Sequence, residues 1–513
     1  MIAFILACYG VLVYQLYVWQ VRDAESYRAE AVTQQLKDTT LPAVRGSIYS
    51  ANGKLLAKSS TVWNIVADPS SVLKSGATED QIRTAAEHIA ELLDDGTTAD
   101  TVYKALTASN KDTGEPYQYR MVKKGVEKPV ADAILAYADS YRLKDGAVVD
   151  TSLQTEEKED KKDGEAKTSK ATRILYLTSE QAASRTYPYG EFLASVLGFC
   201  NGDGEGFYGL EKSYNDTLAG VNGRTITLRN AYGNAIADAN ATTYAAKDGS
   251  NLVLSLDVNV QEVVERYLNE AIYANTVENR GAAIVMNVKT GAILAMASKP
   301  DFDPNAPLDF SENLAYLNEQ VNAEPEIYTI YKKDANGNYL RDEQGKKIPE
   351  EDPDYTGTYR DIQWKNKTIT ELYYPGSVFK VITAAMGVDS GKATYYTTFN
   401  CSGAYGVAKE TYHCAGKKAH GVQNLAEALR NSCNIYFIQL GQRLGSSAFY
   451  DYFDAFGFTE RTGVDLPNET GMMKYYTKSQ LGEVELSSSS FGQAMAVTPL
   501  QVCTAISAAV NGG

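Results

Sequence analysis

The sequence predicts an α+β protein with three parts: an N-terminal transmembrane helix, an extended mixed α/β domain and a compact C-terminal domain. Three observations lead to this fold class: an uncharged apolar start, strand-like alternation around an Asn-Gly turn, and a helical block that follows two strands in the second half. A chain of 513 residues is too long for one small core. We therefore predict an anchor over 1–19, a mixed domain over 20–250 and a further domain over 251–513.

The first 19 residues, MIAFILACYGVLVYQLYVW, carry no charged side chain. A helix of that length spans a hydrocarbon core of about 30 Å, and Tyr14, Tyr17 and Trp19 near its end suit the membrane interface. A cleaved signal peptide is the alternative, but no small-x-small site followed by a change in composition appears. We predict an uncleaved, single-pass anchor in the cell membrane with the bulk of the protein extracellular. No basic residues precede the stretch, so we expect the natural chain to begin earlier.

Charge and composition exclude some functions. A net charge of −15 and a pI near 4.9 do not suit a nucleic-acid-binding protein, which needs a basic face for the phosphates. The six cysteines form no CxxC pair, so a zinc ribbon or a thioredoxin site is not predicted, and with only three histidines we predict no histidine-based site. Cys401 and Cys414 flank a glycine-containing loop, and either a disulfide or two free thiols is compatible with their positions.

The mixed domain begins with a predicted hairpin. Residues 41–69 alternate apolar side chains about the Asn-Gly turn, which is a strong hairpin signal. Residues 78–145 have the spacing of short amphipathic helices, and the charged run 155–167 is expected to be a solvated loop. Residues 185–242, rich in Gly and Tyr, are predicted to be irregular before strands return.

The second half predicts strands first and helices later. The segment NLVLSL predicts a strand, followed by a helix over Val258–Tyr273 with Asp257 or Asn259 as its N-cap. Two apolar runs then predict a hairpin around a Lys-Thr-Gly turn at 289–291, and a polar insertion covers about 318–360. Helices are expected near 377–388, 424–443 and 447–456.

Ser377 and Lys380 form the most informative pair. A Pro-Gly dipeptide before Ser377 predicts a sharp turn into a helix, and Lys380 lies one turn later on the same face. A serine hydroxyl needs a base to attack an amide, and a buried lysine loses its proton because burial disfavours the ammonium form. The backbone N–H of Ser377 would donate to a developing oxyanion. The same spacing at Ser71 and Lys74 is assigned to a surface loop, so we predict Ser377 as nucleophile and Lys380 as its base.

A second polar group, Ser432-Cys433-Asn434, interrupts an apolar helical pattern 55 residues after Ser377. Buried hydroxyl and amide groups need partners. We predict that Ser432 relays a proton between Lys380 and the substrate amine, and that Asn434 binds a substrate carbonyl and steadies the lysine. The alternative is a cap that joins two helices.

These motifs in this order resemble the class B penicillin-binding proteins, and most closely the division and sporulation transpeptidases of Gram-positive bacteria. Ser377-Val-Phe-Lys380 and Ser432-Cys-Asn434 are similar to the first two motifs of the penicillin-binding protein and serine β-lactamase superfamily. Further residues similar to family motifs occur in the family's order: Arg45, Gly46 and Ile48; Arg185, Tyr187 and Pro188; Gly206, Gly209, Glu211 and Tyr214; Asp257, Gln261 and Glu265; Pro300 to Asn305; Gly463 and Asp465 to Pro467; Phe491 to Gln493 and Val497 to Gln501.

The third motif of the family, Lys-Thr/Ser-Gly, lies on a strand that follows the Gly-Gln segment at 492–493. Two copies of the tripeptide, at 74–76 and 289–291, precede the serine and so stand at the wrong place in the chain order. We expect the C-terminal strands, with the third motif, to follow residue 513. We accordingly expect the chain as given to be catalytically impaired.

The resemblance implies a pedestal domain over 20–250 and a transpeptidase domain like those of the penicillin-binding proteins and serine β-lactamases over 251–513. It implies that Ser377 attacks the D-Ala-D-Ala amide of a peptidoglycan stem peptide and that an amine of a second stem resolves the acyl-enzyme, without a metal or a cofactor. β-Lactams would trap the same serine. The implied partners are stem peptides, β-lactams, the membrane, a polytopic glycosyltransferase and other division or sporulation proteins.

Two other functions stay open at this point. A β-lactamase or β-lactam sensor needs a base that activates water, and Glu469 lies about where such enzymes carry one; the Leu-Asn that follows it there is absent, and we assign Glu469 to a turn. A non-catalytic scaffold of the division or sporulation machinery is the second alternative. The intact serine, lysine and Ser-Cys-Asn motifs count against it.

Overall fold

The computed structural model describes residues 9–10, 12, 14–23, 36–144, 146–150, 171–228, 242–277, 280–334, 336–351 and 353–512. Contacts divide the chain into two compact units, each assembled from separate stretches. The first comprises 1–46, 59–186 and 216–250, and the second comprises 47–58, 187–215 and 251–513. The division at 1–19, 20–250 and 251–513 stays a prediction.

The strands are short except for β3 and β8. In chain order they are β1 Leu36–Leu41, β2 Ile48–Tyr49, β3 Leu55–Ala67, β4 Arg120–Val126, β5 Tyr141–Lys144, β6 Ala147–Asp150, β7 Thr172–Arg173, β8 Leu177–Thr186, β9 Gly223–Leu228, β10 Thr242–Tyr244, β11 Leu252–Val253, β12 Gly281–Met286, β13 Ile293–Lys299, β14 Phe399–Cys401, β15 Ala404–Val407, β16 Glu410–His413 and β17 Gly421–Gln423.

The helices range in length from four residues in α5 to 17 residues in α8. They are α1 Pro69–Lys74, α2 Glu79–Leu93, α3 Ala99–Leu106, α4 Lys128–Ser140, α5 Ala194–Leu197, α6 Gly209–Ser213, α7 Asn215–Ala219, α8 Val258–Ala274, α9 Leu314–Ala323, α10 Pro325–Tyr328, α11 Thr356–Trp364, α12 Lys367–Thr370, α13 Lys380–Asp389, α14 Leu425–Arg430, α15 Asn434–Leu444, α16 Ser446–Ala455, α17 Glu483–Ser489 and α18 Pro499–Asn511; a π-helical segment covers Val18–Arg22, and 3₁₀ turns cover Gly376–Phe379 and Ala415–Lys417.

The first unit packs helices α2, α3 and α4 against β3, β4 and β8. Helix α2 begins at a capping box, in which Thr78 Oγ1 accepts from the Gln81 N–H and the Gln81 side chain accepts from the Thr78 N–H. Its buried side chains recur every three or four residues, as an amphipathic helix requires: Ile82, Ala85, Ala86, Ile89 and Leu93. The helices predicted over 78–145 are therefore present, although β4 separates α3 from α4 and β5 follows α4.

The second unit contains the predicted hairpin of β12 and β13, with the Lys-Thr-Gly turn between the strands. Of the two candidate caps for α8, Asp257 is the one used, because its Oδ1 accepts from the Asn259 N–H at 2.8 Å. Gln261 is fully buried; its Nε2 donates to the Met296 carbonyl at 3.0 Å and its Oε1 accepts from the Met296 N–H at 2.7 Å. The amide thus satisfies the edge of β13, beside which no further strand pairs among the residues that the structure describes.

A second core in this unit surrounds α13, which contacts α15 and α18. Phe379 is fully buried there, and its ring centroid lies 5.5 Å from that of Phe458 and 6.2 Å from that of Phe449. Ile382 and Met386, one and two turns further, are buried in the same cluster. This apolar face fixes the start of α13, the region that carries the predicted nucleophile and base.

Three expectations need correction or fall outside the described residues. Within the described part of the chain, no helix has the length and apolar character needed to cross a membrane, so the predicted N-terminal transmembrane helix is not found there. The charged run 155–167 lies outside the described residues. Residues 185–242, predicted to be irregular, include three helices of four or five residues, too short to produce a helical periodicity in the sequence.

Candidate active site

The chain turns sharply just before Ser377. Gly376 adopts a left-handed backbone (φ +56°), and its N–H donates to the Gly492 carbonyl at 2.9 Å. Gly492 is left-handed as well, and a Cβ at that position would lie 2.3 Å from the Gly376 oxygen. Only glycine permits this approach. Ser377 is exposed while Phe379, two residues later, is buried, so the turn presents the hydroxyl outward and anchors the backbone inward.

Lys380 is almost completely buried, with 1% of its surface exposed. Its Nζ contacts four oxygens, at 3.0 Å from Ser377 Oγ, 3.0 Å from Ser432 Oγ, 2.8 Å from the Ser432 carbonyl and 2.7 Å from Asn434 Oδ1. The structure therefore brings the four predicted site residues together around one nitrogen. Their catalytic roles stay predictions.

The chemistry of these four oxygens indicates how a neutral amine would be oriented. The Ser432 carbonyl and Asn434 Oδ1 only accept hydrogen bonds, and they are the two nearest partners of Lys380 Nζ. A neutral amine has two N–H groups, which would donate to the Ser432 carbonyl and to Asn434 Oδ1. Its lone pair then faces the hydroxyls of Ser377 and Ser432, both at 3.0 Å. This arrangement allows Lys380 to accept a proton from either hydroxyl.

Burial lowers the pKa of Lys380 to about 8, against its ordinary value of 10.5, while the nearby thiols of Cys414 and Cys433 act in the opposite direction. Burial has the larger effect because it removes water from the ammonium form. A pKa near 8 gives the base form an appreciable population at neutral pH. No carboxylate is among the four groups that contact Nζ.

Ser432 has an unusual backbone for a residue with a side chain, with φ +47°. It lies between α14 and α15, so the helix-junction interpretation of this motif is also correct as a description of local structure. The left-handed conformation directs both the carbonyl and the hydroxyl of Ser432 to Lys380. Strained non-glycine residues of this kind are concentrated at functional sites.

Asn434 is fixed from both ends of its amide. Oδ1 accepts from Lys380, and Nδ2 donates to the His413 carbonyl at 2.9 Å. The His413 contact sets which atom of the amide faces the lysine, since a carbonyl cannot accept from Oδ1. One hydrogen of the Nδ2 group is left over after this bond.

Beside this site, three thiols and one imidazole converge. Cys401 Sγ lies 3.5 Å from Cys414 Sγ and 3.5 Å from His420 Nδ1, and Cys414 Sγ lies 3.6 Å from Cys433 Sγ. All four ligand atoms lie within 4.8 Å of one another. We call Cys401, Cys414, His420 and Cys433 the thiol cluster. Of the two states left open for Cys401 and Cys414, the structure contains free thiols.

The second S-x-x-K sequence, Ser71 to Lys74, and the carboxylate of Glu469 lack this organisation. Ser71 and Lys74 lie in the short helix α1 rather than in the predicted loop, because Asp68 caps that helix. Ser71 Oγ donates to Asp68 Oδ2 at 2.6 Å, and Lys74 is exposed. The Glu469 carboxylate accepts from the N–H groups of Thr462 and Gly463 and from the Thr462 hydroxyl, which agrees with its assignment to a turn.

Several groups at or beside the site were not predicted from the sequence. The His413 carbonyl and the Gly492 carbonyl are backbone groups, and no residue type in the sequence marks them. The thiol cluster was missed because its ligands are 13, 6 and 13 residues apart, with no CxxC pair. The available signal was that three of the six cysteines and two of the three histidines, His413 and His420, fall between residues 401 and 433.

Two family models match the chain. Residues 40–254 match the penicillin-binding protein dimerisation domain, and residues 281–513 match the penicillin binding protein transpeptidase domain. The chain is 32% identical over 350 residues to Stage V sporulation protein D of Bacillus subtilis (strain 168), covering 68% of this chain and 46% of that protein. It is 28% identical over 327 residues to the peptidoglycan D,D-transpeptidase FtsI of Escherichia coli (strain K12), covering 63% and 45%. The chain therefore spans about half the length of these curated relatives.

Solved structures share the fold. One is the penicillin-binding protein PBP2 of Helicobacter pylori in a complex with MreC, with a TM-score of 0.59 at 20% identity over 91% of this chain and 76% of that one. Another is penicillin binding protein 2X of Streptococcus thermophilus, with a TM-score of 0.58 at 21% identity over 92% of this chain and 59% of that one.

Proposed function

This chain belongs to the class B penicillin-binding proteins, and from that premise we propose that it is a serine D,D-transpeptidase that cross-links the stem peptides of peptidoglycan. The observation that carries the proposal is the position of Lys380 Nζ, 3.0 Å from Ser377 Oγ in a side chain that is 1% exposed. Relatives named peptidoglycan D,D-transpeptidase support the same chemistry.

In the acylation step, Ser377 Oγ attacks the carbonyl carbon of the D-Ala-D-Ala bond while its proton passes to Lys380 Nζ. The C–O bond forms, and the tetrahedral oxyanion accepts a hydrogen bond from the Ser377 N–H at the start of the 3₁₀ turn. The C–N bond then breaks. Ser432 Oγ donates its hydrogen to the leaving D-Ala nitrogen and takes one from Lys380, 3.0 Å away, which becomes neutral again.

In the second step the same groups act in reverse. The amine of a neighbouring stem attacks the ester carbon and loses a proton through Ser432 to Lys380. The new C–N bond forms, the ester C–O bond breaks, and Ser377 Oγ regains a proton from Lys380. The remaining hydrogen on Asn434 Nδ2 is suited to a substrate backbone carbonyl, because the first donates to the His413 carbonyl.

We extend the proposal to the protein's setting. The uncharged residues 1–19 are proposed to anchor it in the cell membrane as a single pass with the bulk outside the cell. Its proposed partners are stem peptides, β-lactams, a polytopic glycosyltransferase and other division or sporulation proteins. One similar solved structure is a complex of PBP2 with MreC, which supports partner binding in this fold.

Mass spectrometry after incubation with a penicillin tests the proposed function. We expect the whole antibiotic to be added to the peptide that contains Ser377, and no addition to a Ser377→Ala variant. The matched control is Ser71→Ala, which alters the other S-x-x-K sequence and should label to the same extent as the unsubstituted chain. Labelling at another residue, or undiminished labelling of Ser377→Ala, would contradict the proposal.

The alternatives give different results in related experiments. A β-lactamase would hydrolyse a chromogenic cephalosporin over many turnovers, whereas the transpeptidase should stop after about one acylation event per serine, because Glu469 is held by Thr462 and Gly463. A scaffold would retain full biological function with Ser377→Ala. A transpeptidase would not.

A further inference from the structure

The thiol cluster lies at the junction of three short strands and one helix. Cys401 ends β14, Cys414 follows β16, His420 precedes β17, and Cys433 is the N-cap residue of α15. The pairing of β14 with β17 places Cys401 opposite Gly421, and the His420 N–H donates to the Cys401 carbonyl at 3.1 Å. The backbone therefore brings residues that are far apart in sequence to one point.

The spacing of the four ligand atoms suits a tetrahedral ion. Zinc binds cysteine sulfur at about 2.3 Å and histidine nitrogen at about 2.0–2.1 Å, so a tetrahedron places sulfurs about 3.8 Å apart and sulfur and nitrogen about 3.6 Å apart. Two of the three sulfur–sulfur separations are 3.5 and 3.6 Å, one of the three sulfur–nitrogen separations is 3.5 Å, and the remaining pairs lie within 4.8 Å. A disulfide needs about 2.0 Å and joins only two thiols, which leaves the third thiol and the imidazole unexplained.

We propose that Cys401, Cys414, His420 and Cys433 bind one zinc ion as a closed Cys₃His site. The three cysteines are buried, at 1%, 3% and 0% exposure, and His420 is half-buried. Binding would replace three S–H protons, which leave to solvent, by three Zn–S bonds and one Zn–N bond. Four protein ligands fill the tetrahedron, so the ion has no open position for a substrate or a reactive water.

The ion would add support to a part of the fold that is made of short strands. Strands β14 to β17 have three or four residues each, and the connection between His413 and Gly421 contains exposed Lys417 and Lys418. Segments this short bury little apolar surface of their own. A bound ion would hold β14, β16 and β17 to the start of α15 with four strong bonds.

The position of the cluster gives the ion a role toward the proposed active site. Cys433 lies between Ser432 and Asn434, whose oxygens contact Lys380 Nζ. Cys414 follows His413, whose carbonyl accepts from Asn434 Nδ2. The zinc ligands would therefore fix both the motif that holds the lysine and the carbonyl that orients its amide. These ligands are positioning residues; none of the four contacts Lys380 by a hydrogen bond in the described structure.

The experiment measures zinc and β-lactam acylation separately on the full chain purified without chelators. We expect mass spectrometry of the metal to find one zinc per chain. The Cys503→Ser variant, which changes a cysteine outside the thiol cluster, should retain the zinc. The Cys414→Ser variant should lose it. Removal of zinc by a chelator should lower the acylation rate constant by about 10–100-fold, and added zinc should restore it. Hydrogen exchange should increase over 399–434 while the rest of the chain keeps its protection.

Two results would overturn the proposal. One is a chain that is folded, as shown by its far-ultraviolet circular dichroism, but contains no zinc after exposure to zinc. This result would count whether its thiols are free or two of them form a disulfide. The other is equal zinc content in the wild-type chain and in Cys414→Ser. A chain that binds one zinc through these ligands but does not label with penicillin would keep the metal site and refute the proposed function instead.

Discussion

The His413 carbonyl accepts a hydrogen bond from Asn434 Nδ2 at 2.9 Å, and the oxygen of the same amide lies 2.7 Å from Lys380 Nζ. A backbone group on β16 thus decides which atom of Asn434 faces the lysine. The relationship links the strand end beside the thiol cluster to the group proposed as the general base.

Replacing Asn434 by Asp should impair acylation by raising the pKa of Lys380. The new carboxylate would lose the donor to His413 and place a negative charge beside Nζ, which stabilises the ammonium form. An opposite charge at this distance shifts a pKa by about 1–3 units, so we expect the rate at neutral pH to fall about tenfold or more. The measurement is the penicillin acylation rate constant, with exposed Asn400→Asp as the control. A rate within twofold of wild type would contradict the role given to Asn434.

The acylation rate should increase with pH through about 8. Burial lowers the pKa of Lys380 to about 8, and only the neutral amine accepts the Ser377 proton. Below that pH the ammonium form predominates and the rate should fall about tenfold per pH unit; above it the rate should level off. The profile is measured with a neutral β-lactam derivative, so that ligand charge does not vary. A flat profile between pH 6 and about 9 would exclude Lys380 as the base.

Gly492→Ala should displace the turn before Ser377 and thereby slow acylation, while the chain still folds. The added Cβ would lie 2.3 Å from the Gly376 oxygen and 2.8 Å from the Gly376 nitrogen, directly before Ser377. Gly457→Ala is the matched control, because Gly457 has the same φ of +80° and no atom within 4 Å of an added Cβ. Left-handed strain should cost both variants about 1–2 kcal/mol in the free energy of unfolding, and the contact with Gly376 should add to the loss in Gly492→Ala alone. Only Gly492→Ala should also acylate slowly; equal rates in the two variants would sink this expectation.

Gln261→Ala should lower stability without a direct effect on chemistry. The substitution leaves the Met296 N–H and carbonyl without their side-chain partner at the edge of β13. A buried polar group left unsatisfied costs about 1–3 kcal/mol, and urea unfolding should show a loss of that order. The neighbouring exposed Glu262→Ala serves as control and should change stability by less than about 0.5 kcal/mol.

The sequence predicted those features that depend on local spacing. Ser377 and Lys380 share a helical turn, and the hairpin of β12 and β13 follows from two apolar runs around a turn. The position of Ser432 relative to Lys380 could not be predicted in this way, because it depends on a left-handed backbone between two helices. The thiol cluster is assembled by the pairing of β14 with β17, and strands of three residues leave little periodic signal.

The stretches of the two units alternate along the chain, which limits how the protein can be truncated or recombined. The chain passes from one unit to the other at residues 46–47, 58–59, 186–187, 215–216 and 250–251. A piece cut out as 251–513 would lack β2, whose Ile48 pairs in parallel with Leu252, and would leave that edge without its neighbour. Recombination at a single breakpoint cannot exchange either unit whole. A chimera that exchanges one unit whole has to graft three stretches at once.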